Sequence, residues 1–323
     1  MSPLKPAMLH GGRSSPDKPG GHRGKRDASM TKLKHLLAAT DLSGPARHAV
    51  ERAALVSKET GAPLDLLHVA NLAPLERLRL LMMESPDALQ QRVLAGARRK
   101  LLDLGAALLE RYAVAPGIRV VAGSLLDELA SEADAMLTSL IVCGAQGESF
   151  VRHLLLGSTA ERMLSLTKCP VLVVKQIAHE PYRTLLVPVD FSASSLPAIR
   201  HARLVAPGAE IVLLHTFEVP FEGHLRYASV DRDTINRYRV VARNEALLRL
   251  QALSLEADLP PGKLRYVVAH GSPAVRILEQ EQEQNCDLIV MGKHGESALE
   301  DLLIGSVTKR VLAESQCDVL VSV

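Results

Sequence analysis

Short apolar runs alternate with long amphipathic segments along most of the chain. The amphipathic segments, such as residues 45–60 and 87–112, carry apolar residues at i, i+3, i+4 and i+7, the period of a helix with one buried face. The short runs are almost continuously apolar, which is typical of parallel strands that helices cover on both faces. The pattern therefore predicts a doubly wound α/β sheet. In the first half of the chain the predicted strands are residues 36–39, 64–69, 119–122, 140–143 and 171–174.

The chain repeats itself with a period close to 148 residues. The segment LIVCGAQG at residues 140–147 returns as LIVMGKHG at residues 288–295. Repetition at a fixed spacing indicates a duplicated structural unit. We therefore predict two tandem five-stranded parallel-sheet sandwiches, at residues 32–177 and 182–323, joined by a short linker that contains Pro181. Other pairs at this spacing, within one residue, are Asp41 and Asp190, His68 and His215, Gly123 and Gly271, Gly157 and Gly305, and Cys169 and Cys317.

Composition and charge exclude several classes of function. The net charge is +2, and residues 1–29 hold six Lys or Arg and two Asp or Glu, so the rest of the chain is mildly acidic. That charge argues against a duplex DNA surface, and 3% aromatic residues without Trp argue against stacking on single strands. Four cysteines without CxxC spacing argue against a disulfide scaffold or a cysteine-bound zinc ion. These features predict no nucleic-acid partner. No apolar run reaches the ~18 residues that span a bilayer and no signal segment is seen, so we expect a cytoplasmic protein.

Residues 1–31 are predicted to form a disordered basic tail. Residues 1–29 contain five Gly and four Pro but no Val, Ile, Phe or Tyr, too little apolar surface to offset the entropy of ordering. The string GGHRGKR is not a phosphate loop, because Arg26 stands where Ser or Thr is required and no strand precedes it. Met30 directly precedes the first predicted element, so upstream sequence included by a misplaced start codon is an alternative explanation.

Both halves carry the pattern G-x2-G-x9-G-S directly after a predicted strand. A glycine at the end of a buried strand lets the chain turn and lets a ligand approach the backbone closely. The Gly-Ser pair then introduces a helical segment, whose first N–H groups and positive dipole end form an anion site. Open parallel sheets bind ligands beyond the carboxyl ends of their strands, where these glycines lie. The two copies are Gly144, Gly147, Gly157 and Ser158, and Gly292, Gly295, Gly305 and Ser306.

Besides these motifs, each half has an aspartate after its first strand, a histidine near the end of its second strand and a valine-rich terminal strand. In these features the sequence resembles the universal stress protein family in its tandem form. The resemblance runs from Lys32 to Val323. It implies a Rossmann-like fold of the adenine nucleotide α-hydrolase type. It also implies ATP as the ligand, with or without Mg²⁺, and a role in the stress response as a nucleotide sensor or regulator.

The same resemblance implies a role for individual residues. The backbones of Val69 and Thr216 would read the adenine edge, and Asp41 and Asp190 would contact the adenosine end of the nucleotide. No catalytic or metal-binding residue is implied. The residues that would face the phosphates are Gly147, Gly157, Ser158 and Thr159 in the first domain and Gly295, Gly305, Ser306 and Val307 in the second.

The two copies of the motif differ in the charge of the loop between their second and third glycines. In the first half this loop contains Arg152 and His153, whereas its counterpart in the second half contains three acidic residues and no basic one. We therefore expect the two sites to bind nucleotide with unequal affinity.

Simpler explanations compete for several of these residues. His68 and His215 have no Cys, Asp or second His at ligand spacing, so we expect them to be structural and not metal ligands. Asp41 and Asp190 could instead cap the helices that follow them. We expect Cys143 and Cys286, within or beside strands, to be small buried hydrophobic residues. For Cys169 and Cys317, which are equivalent in the repeat, redox sensing is a minor hypothesis.

The valine-rich segments that end each half, residues 169–174 and 317–323, would be bare apolar edges on their own. The family resemblance implies that they pair across a twofold axis, so that the two halves of one chain mimic a dimer. A homodimer of two chains and an unidentified protein partner stay open.

The residues leave three hypotheses of function. The leading one is an ATP-binding regulator without catalysis. The second is a slow ATPase or self-phosphorylating enzyme, against which stands the lack of a Walker lysine and of a kinase catalytic loop. The third is a module that binds a partner, with one or both nucleotide pockets vestigial.

Overall fold

The computed structural model of the chain describes residues 32–72, 86–145, 158–218, 232–295 and 304–323. The predicted tail at residues 1–31 lies outside the described residues, and so does the question of the alternative start at Met30. The same holds for Gly147, Gly157, the basic loop with Arg152 and His153 and its acidic counterpart, and the side chains of Ser158 and Thr159.

Strands and helices alternate through the described residues as the hydrophobic pattern predicts. The strands are β1 (Leu36–Ala39), β2 (Leu64–Ala70), β3 (Gly117–Ala122), β4 (Leu140–Gly144), β5 (Val171–Val174), β6 (Thr184–Pro188), β7 (Glu210–Phe217), β8 (Leu264–His270), β9 (Leu288–Gly292) and β10 (Asp318–Ser322). The helices are α1 (Gly44–Thr60), α2 (Pro86–Tyr112), α3 (Leu125–Ala135), α4 (Ser158–Leu166), α5 (Ser195–Val205), α6 (Arg232–Glu256), α7 (Pro273–Glu283) and α8 (Ser306–Glu314). None of the described helices is both long enough and apolar enough to cross a membrane.

Local chemistry sets the two ends of α1. The side chain of Ser43 accepts a hydrogen bond from the N–H of Ala46 at 3.3 Å, and Pro45 stands in the first turn, where its missing N–H costs nothing. Gly61 ends the helix in the left-handed conformation, with φ of 70°, and its N–H donates to the carbonyl of Ser57 at 2.8 Å. The helix between these ends packs on β1 and β4.

All ten strands lie in one sheet, in the order β3-β2-β1-β4-β5-β10-β9-β6-β7-β8. Neighbouring strands within each half are parallel, and β5 and β10 pair antiparallel where the halves meet. The winding of the chain reverses between β1 and β4 in the first half and between β6 and β9 in the second, and ligands of open α/β sheets bind at such switch points. The predicted tandem α/β class is confirmed, with the difference that the two five-stranded sheets are continuous.

The junction of the halves is built from the terminal strands. Leu172 pairs with Leu320 at the centre of the β5–β10 ladder, and these residues are 148 positions apart, so a local twofold axis passes between them. The flanking valines pair in the same way, and all the paired side chains are fully buried. Each apolar edge therefore covers the other, and the predicted pairing of the terminal strands is confirmed.

One apolar cluster extends beneath both halves. It contains Ile141 and Val173 from the first half and Ile289 and Val319 from the second, all with no solvent exposure. Burial of each such side chain contributes about 1.5–3 kcal/mol to stability. Separation of the halves would expose part of this cluster to water, so the junction is part of the core.

A buried carboxylate joins the second half to the linker and to α1. Asp318, at the start of β10, has no solvent exposure. Its Oδ1 accepts hydrogen bonds from the backbone N–H groups of Lys175 at 2.7 Å and Gln176 at 3.1 Å. Its Oδ2 accepts from the Tyr182 hydroxyl at 2.6 Å and lies 3.2 Å from Nε of Arg52. The carboxylate therefore holds both ends of the segment that connects the halves.

Arg52 is the cation of this network. Its side chain is 6% exposed, its guanidinium lies 4.0 Å from the centre of the Tyr182 ring, and Nη1 donates to the carbonyl of Glu180 at 2.8 Å. Burial and the nearby Asp318 charge raise the pKa of Tyr182 well above its usual value, so its hydroxyl remains a donor. The position equivalent to Asp318 in the first half is Pro170, which has no carboxylate. Among the described residues, the first half therefore supplies no counterpart of this network.

We expect the substitution Asp318→Ala to destabilise the chain by about 3–5 kcal/mol, because it leaves the Arg52 guanidinium buried without its counter-ion. Urea unfolding followed by circular dichroism measures the change. Glu314→Ala is the control, since it removes an exposed ion pair with Arg310, 2.9 Å from Nε to Oε1, and should cost less than about 1 kcal/mol. Equal losses in the two variants would contradict this role of Asp318.

Candidate functional site

A histidine anchors the loop that follows the first strand of each half. Nδ1 of His215 lies 2.7 Å from the carbonyl oxygen of Val189, and Nδ1 of His68 lies 2.9 Å from that of Thr40. A carbonyl oxygen only accepts hydrogen bonds, so Nδ1 carries the proton in both rings. Among the described residues no group of three or more His, Cys, Asp or Glu could hold a metal ion. These contacts agree with the structural interpretation of both histidines.

Neither loop aspartate caps the helix that follows it. Asp41 accepts from the N–H of Ser43 at 3.0 Å, but Ser43 itself caps α1, and the residue before α5 is Ser194. The capping alternative for the aspartates is therefore wrong. Each aspartate instead precedes a residue with left-handed backbone, Leu42 with φ of 66° and Phe191 with φ of 64°. The two halves thus share the same tight turn.

Asp190 is a charged group held in place by hydroxyl and amide donors. Its Oδ1 accepts from the N–H of Ser192 at 3.0 Å, from the hydroxyl of Ser192 at 2.6 Å and from the hydroxyl of Ser195 at 2.9 Å. Burial works to raise the pKa of Asp190, but these hydrogen bonds outweigh it and hold the pKa below its usual value. The carboxylate is therefore ionised at neutral pH, and its Oδ2 lies against Gly295.

A cavity of about 230 Å³ opens at the carboxyl ends of β6, β7 and β9, at the switch point of the second half. Its apolar wall includes Leu214, Ile277 and Met291, and its polar groups include the Asp190 carboxylate and the N-terminus of α8. A mostly apolar pocket with a few placed polar groups is typical of small-molecule sites. All seven residues predicted for the second site line this cavity, namely Asp190, Thr216, Gly292, Gly295, Gly305, Ser306 and Val307.

Sequence reasoning missed the cavity's apolar wall and several of its polar lining residues, Thr308 among them. Leu214 lies two residues before Thr216 on the same strand, and side chains two apart share a face of a sheet, so this one was within reach of the pattern. Ile277 belongs to the buried face of α7, which periodicity assigns to the core and not to a site. Thr308 donates from Oγ1 to the carbonyl of Gly292 at 3.0 Å, which ties the first turn of α8 to the end of β9.

The three glycines of the second motif differ in what the protein requires of them. At Gly292 an added Cβ would lie 2.6 Å from Cβ of Ser194, so packing excludes a side chain. At Gly295 an added Cβ would lie 2.7 Å from Oδ2 of Asp190 and would displace the carboxylate. At Gly305 the nearest atom is a backbone oxygen at 3.4 Å, an ordinary contact, and φ is −59°. The packing and backbone of the described residues therefore do not demand glycine at position 305.

The N-terminus of α8 forms the polar end of the cavity. The first N–H groups of a helix have no partner within the helix, and this end carries partial positive charge. Ser306 and Val307, the first two residues of α8, line the cavity, and Gly305 offers no side chain that could cap them. The N–H of Gly305 donates to the carbonyl of Lys293 at 2.9 Å. Such a helix end is suited to an anionic group.

The described residues of the first half form a different cavity. Val69 lines a space of about 850 Å³ whose walls also include Arg162. Asp41 and Gly144 are not among the described residues that line it. Helix α4 begins at Ser158, where the motif predicts a helix start. The structure thus brings together the predicted residues of the second site, and in the first half it places Val69 at this cavity within the described ranges.

The four cysteine thiols are held in their unreactive, protonated form. Burial raises the pKa of Cys143, Cys169 and Cys286 to about 12, and it raises the pKa of Cys317 well above its usual value. The thiolate is the reactive form of cysteine, so these thiols are poor redox sensors. The redox alternative for Cys169 and Cys317 is therefore disfavoured.

Two stretches of the chain, residues 32–175 and 181–322, match the model of the universal stress protein family. The chain belongs to this family. One match falls in each half, and together they include both copies of the glycine motif and the paired terminal strands.

Related universal stress proteins share either both halves or one. A universal stress protein of Mycolicibacterium smegmatis is 26% identical over 303 residues, which is 88% of this chain and 96% of the relative. Another, from Methanocaldococcus jannaschii, is 33% identical over 143 residues, which is 43% of this chain and 81% of the relative. The crystal structure of a universal stress protein from Archaeoglobus fulgidus covers 89% of this chain and 97% of its own, with a TM-score of 0.65 and 22% identity. The last comparison shows that the tandem fold is shared.

We expect Gly292→Ala to destabilise the chain by about 1–3 kcal/mol, because its Cβ has no room beside Ser194. Gly305→Ala, the matched control, should change the free energy of unfolding by less than about 0.5 kcal/mol, since its Cβ meets only ordinary contacts. Urea unfolding of the two variants beside the wild type measures both. A larger loss at position 305 than at position 292 would contradict the division of roles among the glycines.

We expect a thiolate-specific disulfide reagent to leave all four cysteines of the native protein unlabelled at pH 8 for many minutes. A thiol with a pKa of about 12 is thiolate in roughly one molecule in 10⁴ at that pH. The same protein in urea is the control, and all four of its cysteines should react at once, with one equivalent of the reagent's leaving-group thiol released for each. Rapid labelling of Cys169 or Cys317 in the native state would restore the redox hypothesis.

Proposed function

We propose that this universal stress protein binds ATP and acts as a nucleotide sensor or regulator, with the cavity between β6, β7 and β9 as its principal site. The observation that carries the proposal is Gly305. Its backbone conformation is open to any residue and its Cβ position is not blocked, yet it is glycine, stands at the start of α8 and lines the cavity beside Asp190. A ligand that approaches the backbone at this point accounts for that glycine.

A nucleotide fits the chemistry of the cavity from its apolar wall to its helix end. The adenine base would lie against Leu214, Ile277 and Met291, with the backbone of Thr216 at its polar edge. The Asp190 carboxylate, ionised and exposed to solvent, is an acceptor suited to the ribose hydroxyls. The described cavity, about 230 Å³, is close to the lower end of small-molecule pockets, roughly 300 Å³. It suits the nucleoside part, so the phosphates would extend along the first turn of α8.

The same geometry favours binding over catalysis. A general base works best with a pKa near the operating pH, whereas hydrogen bonds hold the pKa of Asp190 below its usual value. Its Oδ1 already accepts from Ser192 and Ser195. We therefore propose a regulator whose occupancy changes its surface for a partner protein, and not an ATPase. Mg²⁺ would enter with the nucleotide, because no described cluster of side chains offers it a site.

The test is to count the nucleotide that the purified protein carries. Full-length protein is denatured, and the supernatant is resolved by ion-exchange chromatography. The result expected is ATP, with one equivalent lost in Gly305→Glu, whose carboxylate would stand at the proposed phosphate position. Gly305→Ala is the matched control and should retain most of the nucleotide, because its methyl group carries no charge.

Two further variants sharpen the count. Gly157→Glu tests the first site in the same way and reports whether that half binds nucleotide at all. Asp190→Asn should weaken binding by tenfold or more, since a hydrogen bond to a charged acceptor contributes about 1.5–3 kcal/mol. If wild-type protein carries no nucleotide and added ATP does not bind in a calorimetric titration, the proposal fails and the partner-binding hypothesis takes its place.

A further inference from the structure

Helices α4 and α8, each of which begins at a Gly-Ser pair of the motif, are linked across the local twofold axis. Nζ of Lys309 on α8 lies 3.5 Å from Oε1 of Glu161 on α4. These two residues are 148 positions apart and so occupy the same place in the repeat. In a symmetric dimer identical residues would meet here, whereas in this chain opposite charges do. The two proposed phosphate-binding helices are therefore neighbours.

Lys293 is a buried cation inside the second glycine motif. It stands between Gly292 and His294, and its relative exposure is 3%. Its backbone is held on both sides, since its N–H donates to the carbonyl of Ser322 at 2.8 Å and its carbonyl accepts from the N–H of Gly305 at 2.9 Å. The position of the Lys293 backbone therefore depends on the residue that begins the second phosphate-binding helix.

The side chain of Lys293 crosses to the other half of the molecule. Nζ donates to the carbonyl of Ser165 at 3.3 Å, in the last turn of α4. The C-terminal end of a helix carries partial negative charge, which a cation stabilises. The equivalent position in the first half is Ala145, whose methyl group cannot reach across. The second half therefore makes this contact to the first half, and Ala145 makes no equivalent contact in return.

The end of α8 is also held from the other half, but by a residue outside the motifs. Nζ of Lys175 donates to the carbonyl and the hydroxyl of Ser315, at 2.8 and 2.7 Å. Lys175 follows β5 and is not attached to the first glycine motif. Of these two lysines, Lys293 is the one that joins a glycine motif of one half to the motif helix of the other.

We propose that Lys293 is a positioning residue that couples the two nucleotide sites, an inference that rests on the proposed function. A phosphate at the start of α8 competes with the Lys293 carbonyl for the N–H of Gly305. When the phosphate takes that N–H, the Lys293 peptide is released and its side chain loses its fixed geometry at Ser165. Helix α4, whose first turn belongs to the first site, is then held less firmly at its other end. Occupancy of the second site therefore weakens binding at the first, and by thermodynamic linkage the reverse also holds.

Calorimetric titration of the full-length protein with ATP tests the coupling. Gly157→Glu removes the first site and gives the intrinsic affinity of the second, so the wild-type isotherm then yields the affinity of the first site and the coupling factor. We expect coupling of about fivefold or more against simultaneous occupancy, within the range usual for linked sites. In Lys293→Met, which keeps the apolar stem and removes the donor, the factor should fall to one, because binding at the second site no longer breaks a contact with α4.

Two controls separate coupling from a loss of structure. Lys293→Arg should restore the coupling, because the guanidinium keeps a donor at Ser165. Lys309→Met breaks the exposed pair with Glu161 between the same helices and should leave the coupling factor as it is in the wild type. Independent sites in the wild type, or a coupling factor unchanged in Lys293→Met, would overturn the proposal.

Hydrogen exchange without nucleotide distinguishes failure of the coupling from failure of the proposed function. We expect the amides of α4 to exchange faster in Lys293→Met than in the wild type, because the helix loses a contact at its last turn. If ATP binds to neither site, the proposed function and the coupling both fail, whatever the exchange shows. If ATP binds but the exchange of α4 is unchanged, only the role of Lys293 is overturned.

Discussion

A carboxylate without access to water must be satisfied by protein groups, and Asp318 determines how the two halves of this chain meet. Its two oxygens are matched by the backbone of the linker, the Tyr182 hydroxyl and the Arg52 guanidinium. These partners come from the first half and from the connecting segment, so neither half can move without leaving a buried charge unmatched. With the linker held in this way, β10 lies beside β5, and the ten strands form one sheet.

The continuous sheet places the two proposed nucleotide sites in a fixed relation. Each half has its switch point where the winding reverses. Helices α4 and α8, each of which begins at a Gly-Ser pair, meet near the central axis. The loop aspartate, the histidine anchor and the left-handed residue after the aspartate occur in both halves. The duplication therefore preserved the frame of each site, and the second half holds its predicted residues around one cavity.

Duplication within one chain also allowed the halves to diverge where a symmetric dimer could not. Glu161 faces Lys309 at equivalent positions, Asp318 stands where the first half has Pro170, and Lys293 stands where it has Ala145. The first of these contacts places opposite charges at equivalent positions across the axis, which identical subunits cannot do there, and the other two are made from one half only. The junction is thus more specific than a pairing of identical halves would be, and it contains the proposed route between the sites.

Sequence alone was enough to predict the alternation of strands and helices, the duplication, the family and the positions of the glycines, because each of these signals is local or repeats at a constant spacing. It also indicated that the terminal strands pair, since two apolar edges need cover. The fold was needed to show that the protein's own packing requires glycine at Gly292 and Gly295, whereas the described residues do not require it at Gly305. It alone showed that Asp318 meets Arg52 and that Lys293 reaches Ser165. Those contacts join residues more than a hundred positions apart, and hydrophobic periodicity encodes which face of an element is buried, not which distant side chain it meets.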